Sequence, residues 1–141
     1  MSRDIQLTTR MAEQIGVWDR FGDRRAIFLA CYARLTGNMV VAVQAGRFHD
    51  PLWVADLIHN FAAYSFEATT AYASADPRLP ASWCAAFDRA GQPETPVVVS
   101  LLLGVNAHIN YDLVQVLADT LGPVWGDLDP QTRQRGDRRN R

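Results

Sequence analysis

Apolar positions recur every three to four residues along most of the chain, and the strict alternation that marks a half-buried strand is missing. The pattern predicts an all-α fold, a single-domain bundle of about five helices with a long central helix. A first helix is expected over residues 7–18. Gly22-Asp23 offers a cap for a second, running from residue 24 to about 41, with Ile27, Phe28, Cys31, Tyr32 and Leu35 as its apolar face and Gly37-Asn38 as a point of kinking or interruption. Asp50-Pro51 supplies a capping carboxylate and a first-turn proline for a third helix reaching about residue 72. Asp76-Pro77 and Leu79-Pro80 break helicity, and a short helix over 81–89 follows with Trp83 and Phe87 on one face. From Thr95-Pro96 the longest helix is expected to run to about residue 121, where Gly122-Pro123 should stop it.

That last helix carries Asn106-Ala107-His108-Ile109-Asn110-Tyr111-Asp112-Leu113, four hydrogen-bonding side chains in the most apolar part of the chain. Polar groups set among apolar ones require partners, whether protein, metal or ligand. His108 and Asp112 are four apart and fall on one helical face, where they can act as a pair. Gln115 and Asp119 continue that stripe, and Val97, Leu101 and Gly104 precede it, so the pair should sit where a covered face meets a wet one. An imidazole beside a carboxylate serves as acid and base, as two metal ligands, or as a buried structural hydrogen bond. Asn106 and Asn110 form a second pair one flank away, expected to bind a substrate oxygen. Tyr32, Tyr64 and Trp83 are the aromatic residues with polar tips that would line an apolar pocket. His59 and Glu67, on one face of the third helix, would complete a zinc or iron site with His108 and Asp112 if that face met the motif helix.

Composition narrows the chemistry. All fourteen basic residues are arginine, so Schiff-base, pyridoxal and lysine-dependent phosphate chemistry are not available. Cys31 and Cys84, the only cysteines, exclude a disulfide framework and a cysteine-rich zinc site, and both are expected as small core residues. Five arginines against Asp129 and Asp137 make residues 129–141 positive by three, leaving residues 1–128 at minus four from the total of minus one. This divides the chain into a helical domain, 1–128, and a basic tail, 129–141, expected to be mobile. With no basic stripe on the body, nucleic acid is not the expected partner. The apolar runs are interrupted before the ~20 residues of a membrane span, and the start lacks the pattern of a secretory signal. The expectation is a cytoplasmic protein with no membrane partner.

The motif block resembles the Asn-Ala-His-Ile-Asn-x-Asp-Leu signature of an uncharacterised, mainly bacterial helical family, a domain of unknown function. Supporting positions are Asp23, Phe28, Tyr32 and Thr36; Gly46-Arg47-Phe48 with Asp50-Pro51; Phe61, Ala62, Tyr64 and Ala68; and Trp83 with Phe87. The resemblance covers roughly residues 10–120 and implies a helical fold with a polar centre at His108 and Asp112, but no established reaction. His59 matches no motif position. Family members resemble one another further along in another helix, which looks missing here. A His-x-x-x-Asp pair on a helix is also similar to half of the site in helical zinc phospholipases and nucleases, an analogy only.

The leading expectation is an enzyme without a cofactor, acting on a small, largely apolar organic molecule with His108 as general acid or base and Asp112 orienting it. Cyclisation, isomerisation and hydrolysis all stay open, in a setting such as secondary metabolism. The alternatives are a metal-dependent hydrolase or oxygenase, and a non-catalytic helical module that binds a ligand or partner subunit, with a homodimer expected from exposed apolar surface.

Overall fold

A computed structural model describes residues 2–127 and 131 of the chain. Its described residues form helices and connecting turns with no strand: α1 (Arg3–Arg20), α2 (Arg25–Gln44), α3 (Pro51–Ala73), α4 (Ala81–Ala90) and a last helical run, Val97–Trp125. The last run is not uniform. α5 (Val97–Asn106) passes into a π-helical segment (Ala107–Asp112) and then into α6 (Leu113–Trp125). The expected tail lies outside the described residues, apart from residue 131.

Local chemistry accounts for the boundaries. The Ser2 hydroxyl accepts the Ile5 N–H at the start of α1, which is therefore longer than the apolar pattern indicated. Gly22 takes φ +64° after α1 and lets Asp23 N–H turn back to the Trp18 carbonyl at 2.8 Å, the reversal that starts α2. Asp50 caps α3 by accepting from Trp53 N–H at 3.0 Å, and Pro51 holds the first turn.

Three sequence expectations fail here. Gly37-Asn38 does not interrupt α2. Its buried face is Ala26, Leu29, Tyr32 and Thr36, whereas Cys31 and Leu35 are exposed, so Cys31 is not a core thiol. Pro123 does not stop the last helix, which continues to Trp125. The clash of a proline ring falls mainly on the Cβ and amide of the preceding residue, and Gly122 has no Cβ.

Two clusters make the core. Leu7, Met11 and Trp18 of α1 pack with Ala26, Leu29 and Tyr32 of α2 and with Val54, Ile58, Ala62 and Phe66 of α3. Ala68, Trp83, Ala86, Phe87 and Ala107 form the second cluster, under α4 and the π segment. Phe28 packs against both. The π segment touches α3 and α4 while α5 lies on α2, so its inner face meets the place where the two clusters join. The outer face of the last helix is not covered: Val97, expected on the covered side, is exposed, as are Val98 and Leu102. By length and mean hydropathy, 1.6 and 1.5, α2 and Val97–Trp125 reach the values of a membrane span, which the interruptions in the sequence had argued against.

Candidate functional site

His108 and Asp112 both lie in the π segment, and its inner face carries them into the core, at 2 % and 1 % exposure. A π turn holds more residues than an α turn, so positions four apart come close to one line. His108 Nδ1 is 2.8 Å from Asp112 Oδ2. The same carboxylate accepts Trp83 Nε1–H from α4, at 3.0 Å to each oxygen. A carboxylate only accepts, so Nδ1 carries the proton and Nε2 carries a lone pair. Nε2 is buried and has no hydrogen-bond partner among the described residues. A nitrogen in that state is the exception among buried polar atoms.

Four aromatic rings enclose the imidazole. Phe61 of α3 lies flat on it, with centroids 3.7 Å apart and planes 6° apart. Tyr32 of α2 meets it edge-on at 4.2 Å, and Phe28 and Trp83 stand at 5.7 and 6.0 Å. Gly104 makes the approach of Phe28 possible, since a Cβ there would fall 2.6 Å from Phe28 Cγ. Burial holds the His108 pKa below the ordinary imidazole value, although the hydrogen bond and charge of Asp112 pull the other way. Burial likewise pushes the Tyr32 hydroxyl well above the tyrosine range, against its hydrogen bond with Thr36 and helped by the charge of Asp112. The surroundings therefore favour neutral forms of both groups.

The other expected site residues divide. Tyr32 and Trp83 belong to the cage. Tyr64 stands further out on α3, where it donates a hydrogen bond to Asp119 of α6. That bond, followed by desolvation and the charges of Asp119, Glu67 and Asp112, pushes the Tyr64 pKa up to about 12. Asn106 and Asn110 do not reach the imidazole: Asn110 Nδ2 donates to Asn106 Oδ1 at 2.7 Å on the exposed side of the helix. His59 turns to α1, with Nε2 2.7 Å from Asp4 Oδ1, and Glu67 lies in an open cleft with Arg10 and Asp76. The set His59, Glu67, His108 and Asp112 is thus not assembled, and no group of three His, Cys, Asp or Glu converges among the described residues. The sequence reading missed Phe28 and Phe61 as walls of the site and Trp83 as the anchor of Asp112. Phe28, Tyr32, Thr36, Phe61 and Trp83 were nevertheless among the positions that carried the family resemblance.

The crevice on the far side of Phe28 and Trp83, toward Phe66 and Phe87, has a volume of about 10 Å³, no more than a single water needs. A cleft of about 330 Å³ opens between Arg10 and α3 and contains none of the cage residues.

The chain belongs to a family of unknown function, DUF5995, whose model matches residues 5–137, further toward the C-terminus than the 10–120 span of the resemblance. No curated protein and no solved structure matches it.

Proposed function

We propose that this DUF5995 protein is an acid–base enzyme for a small, largely apolar organic molecule, with His108 Nε2 as the atom that takes or gives the proton. The observation that carries the reading is the buried Nε2, without a hydrogen-bond partner among the described residues, on an imidazole whose other nitrogen is tied to an anchored carboxylate. An imidazole with a lowered pKa is neutral near pH 7 and ready to accept a proton. Asp112 then stabilises the imidazolium that forms, and Trp83 keeps the carboxylate from swinging away. The apolar walls favour a substrate with few charges.

The imidazole must be uncovered before it can act. Phe61 is the wall to move, because it is partly buried and, unlike Phe28, is not packed against Gly104 or Trp83. The lone pair of Nε2 lies in the ring plane, so a substrate must enter at the edge of the imidazole and not over its face; movement of Phe61 on α3 makes room beside the ring without breaking the Trp83–Asp112 hydrogen bond, which joins α4 to the π segment. Cyclisation, isomerisation and hydrolysis are all within reach of one such base. Untargeted mass spectrometry of a metabolite extract incubated with the protein tests the reading. Wild type should consume compounds that His108→Ala and Asp112→Asn convert at least ~100-fold more slowly; equal consumption by all three would end it.

The orphan nitrogen also favours a second reading, since a metal-binding histidine commonly donates its other N–H to a carboxylate in the same way. A metal on Nε2 would need further ligands beyond the described residues or from substrate and solvent, for a hydrolase or oxygenase reaction. Elemental analysis decides between them: about one equivalent of zinc or iron, lost in His108→Ala, supports the metal, and less than about a tenth of an equivalent opposes it.

A further inference from the structure

Along α5 and the start of the π segment, the face turned away from the core is apolar and open. Ser100, Gly104, Ala107 and His108 point inward and are buried, while Val98, Leu102, Val105 and Ile109 are exposed, Val98 and Leu102 by 58 % and 59 %. The four lie at intervals of four, three and four residues, the spacing of a helix-packing seam. No Asp, Glu, Lys or Arg occurs from Thr95 to Tyr111, so nothing on this face repels a like surface or selects a charged one. We infer that its occupant is a second copy of this chain, packed through the same helix in antiparallel orientation about a twofold axis.

The spacing itself points to a like partner. A 4-3-4 interval reads the same in both directions, so antiparallel pairing sets Val98 against Ile109 of the partner subunit and Leu102 against Val105 of the partner subunit, apolar on apolar throughout. A twofold interface requires such self-complementarity, because one patch serves both sides. Asn106 and Asn110, already bonded to each other, border the seam and supply its polar edge. The extent is that of a small interface, four apolar side chains exposed by 36 to 59 % over about three turns, short of the about 800 Å² per partner of a standard one, which suits a dimer that forms at micromolar concentration. A lipid surface is the competing occupant for an apolar helix. Glu94 precedes this stretch, Asp112 after it is buried, and Arg24, the cation that reaches its start, is committed to the Gln92, Pro93 and Thr95 carbonyls, so the stretch lacks the free arginines or lysines that hold a helix on an anionic bilayer. Because Ile109 belongs to the π segment, the pairing would also brace the segment that carries His108.

Sedimentation velocity of the full chain from about 1 to 100 µM tests this. Wild type should form dimers in that range, and Leu102→Glu should weaken them more than about 30-fold while keeping a cooperative thermal melt. Leu102→Ser provides the same comparison if the glutamate variant does not fold. In a Cys31→Ser, Cys84→Ser background, an oxidised mixture of Leu102→Cys and Val105→Cys should give mainly the mixed disulfide. A strict monomer at the highest concentration, a dimer indifferent to Leu102, or mainly like-with-like disulfides would overturn the inference. So would flotation of a monomeric wild type, but not of Leu102→Glu, with phosphatidylcholine vesicles. None of these readouts depends on whether His108 is catalytic.

Discussion

Trp83 Nε1 lies 3.0 Å from both carboxylate oxygens of Asp112, although 29 residues of sequence separate the two. The indole of α4 thus fixes the orientation of the carboxylate that in turn holds His108, and three side chains from two helices act as one buried hydrogen-bonded chain. Hydrogen bonds to a charged acceptor in a dry interior are worth more than their exposed counterparts, and removing one partner leaves the rest uncompensated.

Trp83→Phe keeps most of the ring and removes only the N–H donor to Asp112. The variant should lose about 1.5–3 kcal/mol of stability in chemical denaturation. It should also move the ring-nitrogen chemical shifts of His108, which a loss of packing elsewhere would leave in place. Unchanged His108 signals would show that the indole does not govern the pair.

Stability should fall as the solution is acidified below about pH 6.5, the ordinary imidazole value. The pKa of His108 is lowered in the fold, chiefly by burial, so between the folded and unfolded values the unfolded chain binds the proton and the native one does not. The contribution is therefore complete above the unfolded value and is lost as pH falls toward the folded one, by up to about 1.4 kcal/mol per pH unit. His108→Gln should flatten this part of the profile measured by urea unfolding; an unaltered slope would assign it to other groups.

Phe61 covers one face of the imidazole, so its truncation should expose His108 without touching the hydrogen bonds of Asp112. Diethylpyrocarbonate should modify His108 at least ~10-fold faster in Phe61→Ala than in wild type, followed by mass spectrometry of the peptide. Equal rates would place the route to His108 elsewhere.

A methyl group at position 104 has no room, with Phe28 Cγ at 2.6 Å and Phe28 Cβ at 2.8 Å from where it would stand. The obstacle is the root of the side chain, which a rotamer change cannot clear. Gly104→Ala should therefore cost about 1–3 kcal/mol despite the better helix propensity of alanine. Gly104→Ala combined with Phe28→Ala, which removes Cγ and the ring, should lose less in a thermal melt than the sum of the two single changes; additive losses would point to a different source of strain.

The helices were legible from sequence because their signals are local. Asp50-Pro51, the Gly22 turn, the proline-rich break between α3 and α4 and the face holding Trp83 and Phe87 act within a turn or two of their own positions, and the structure follows them. The pairing of His108 with Asp112 was legible for the same reason, since a separation of four residues needs no tertiary knowledge. Where a local signal has a local exception, the reading failed: Gly122 softened the effect of Pro123, and the apolar repeat on α2 did not distinguish Leu35, which is exposed, from Leu29, which is buried.

What the tertiary structure alone decided is which side of each helix is inside and which distant residues meet there. Amphipathic periodicity gives a face, but on helices as apolar as α2 and α5 nearly every direction is apolar and the sequence does not mark the covered one. Packing turned Asn106 and Asn110 outward, set His59 against Asp4, and brought Phe28, Phe61 and Trp83 from three helices around one imidazole. The local chain determined that His108 and Asp112 could form a pair. The assembled core determined that the pair is buried, that Trp83 anchors it and that Nε2 is left without a partner among the described residues, because burial and long-range contact are properties of the whole packing and not of any one segment.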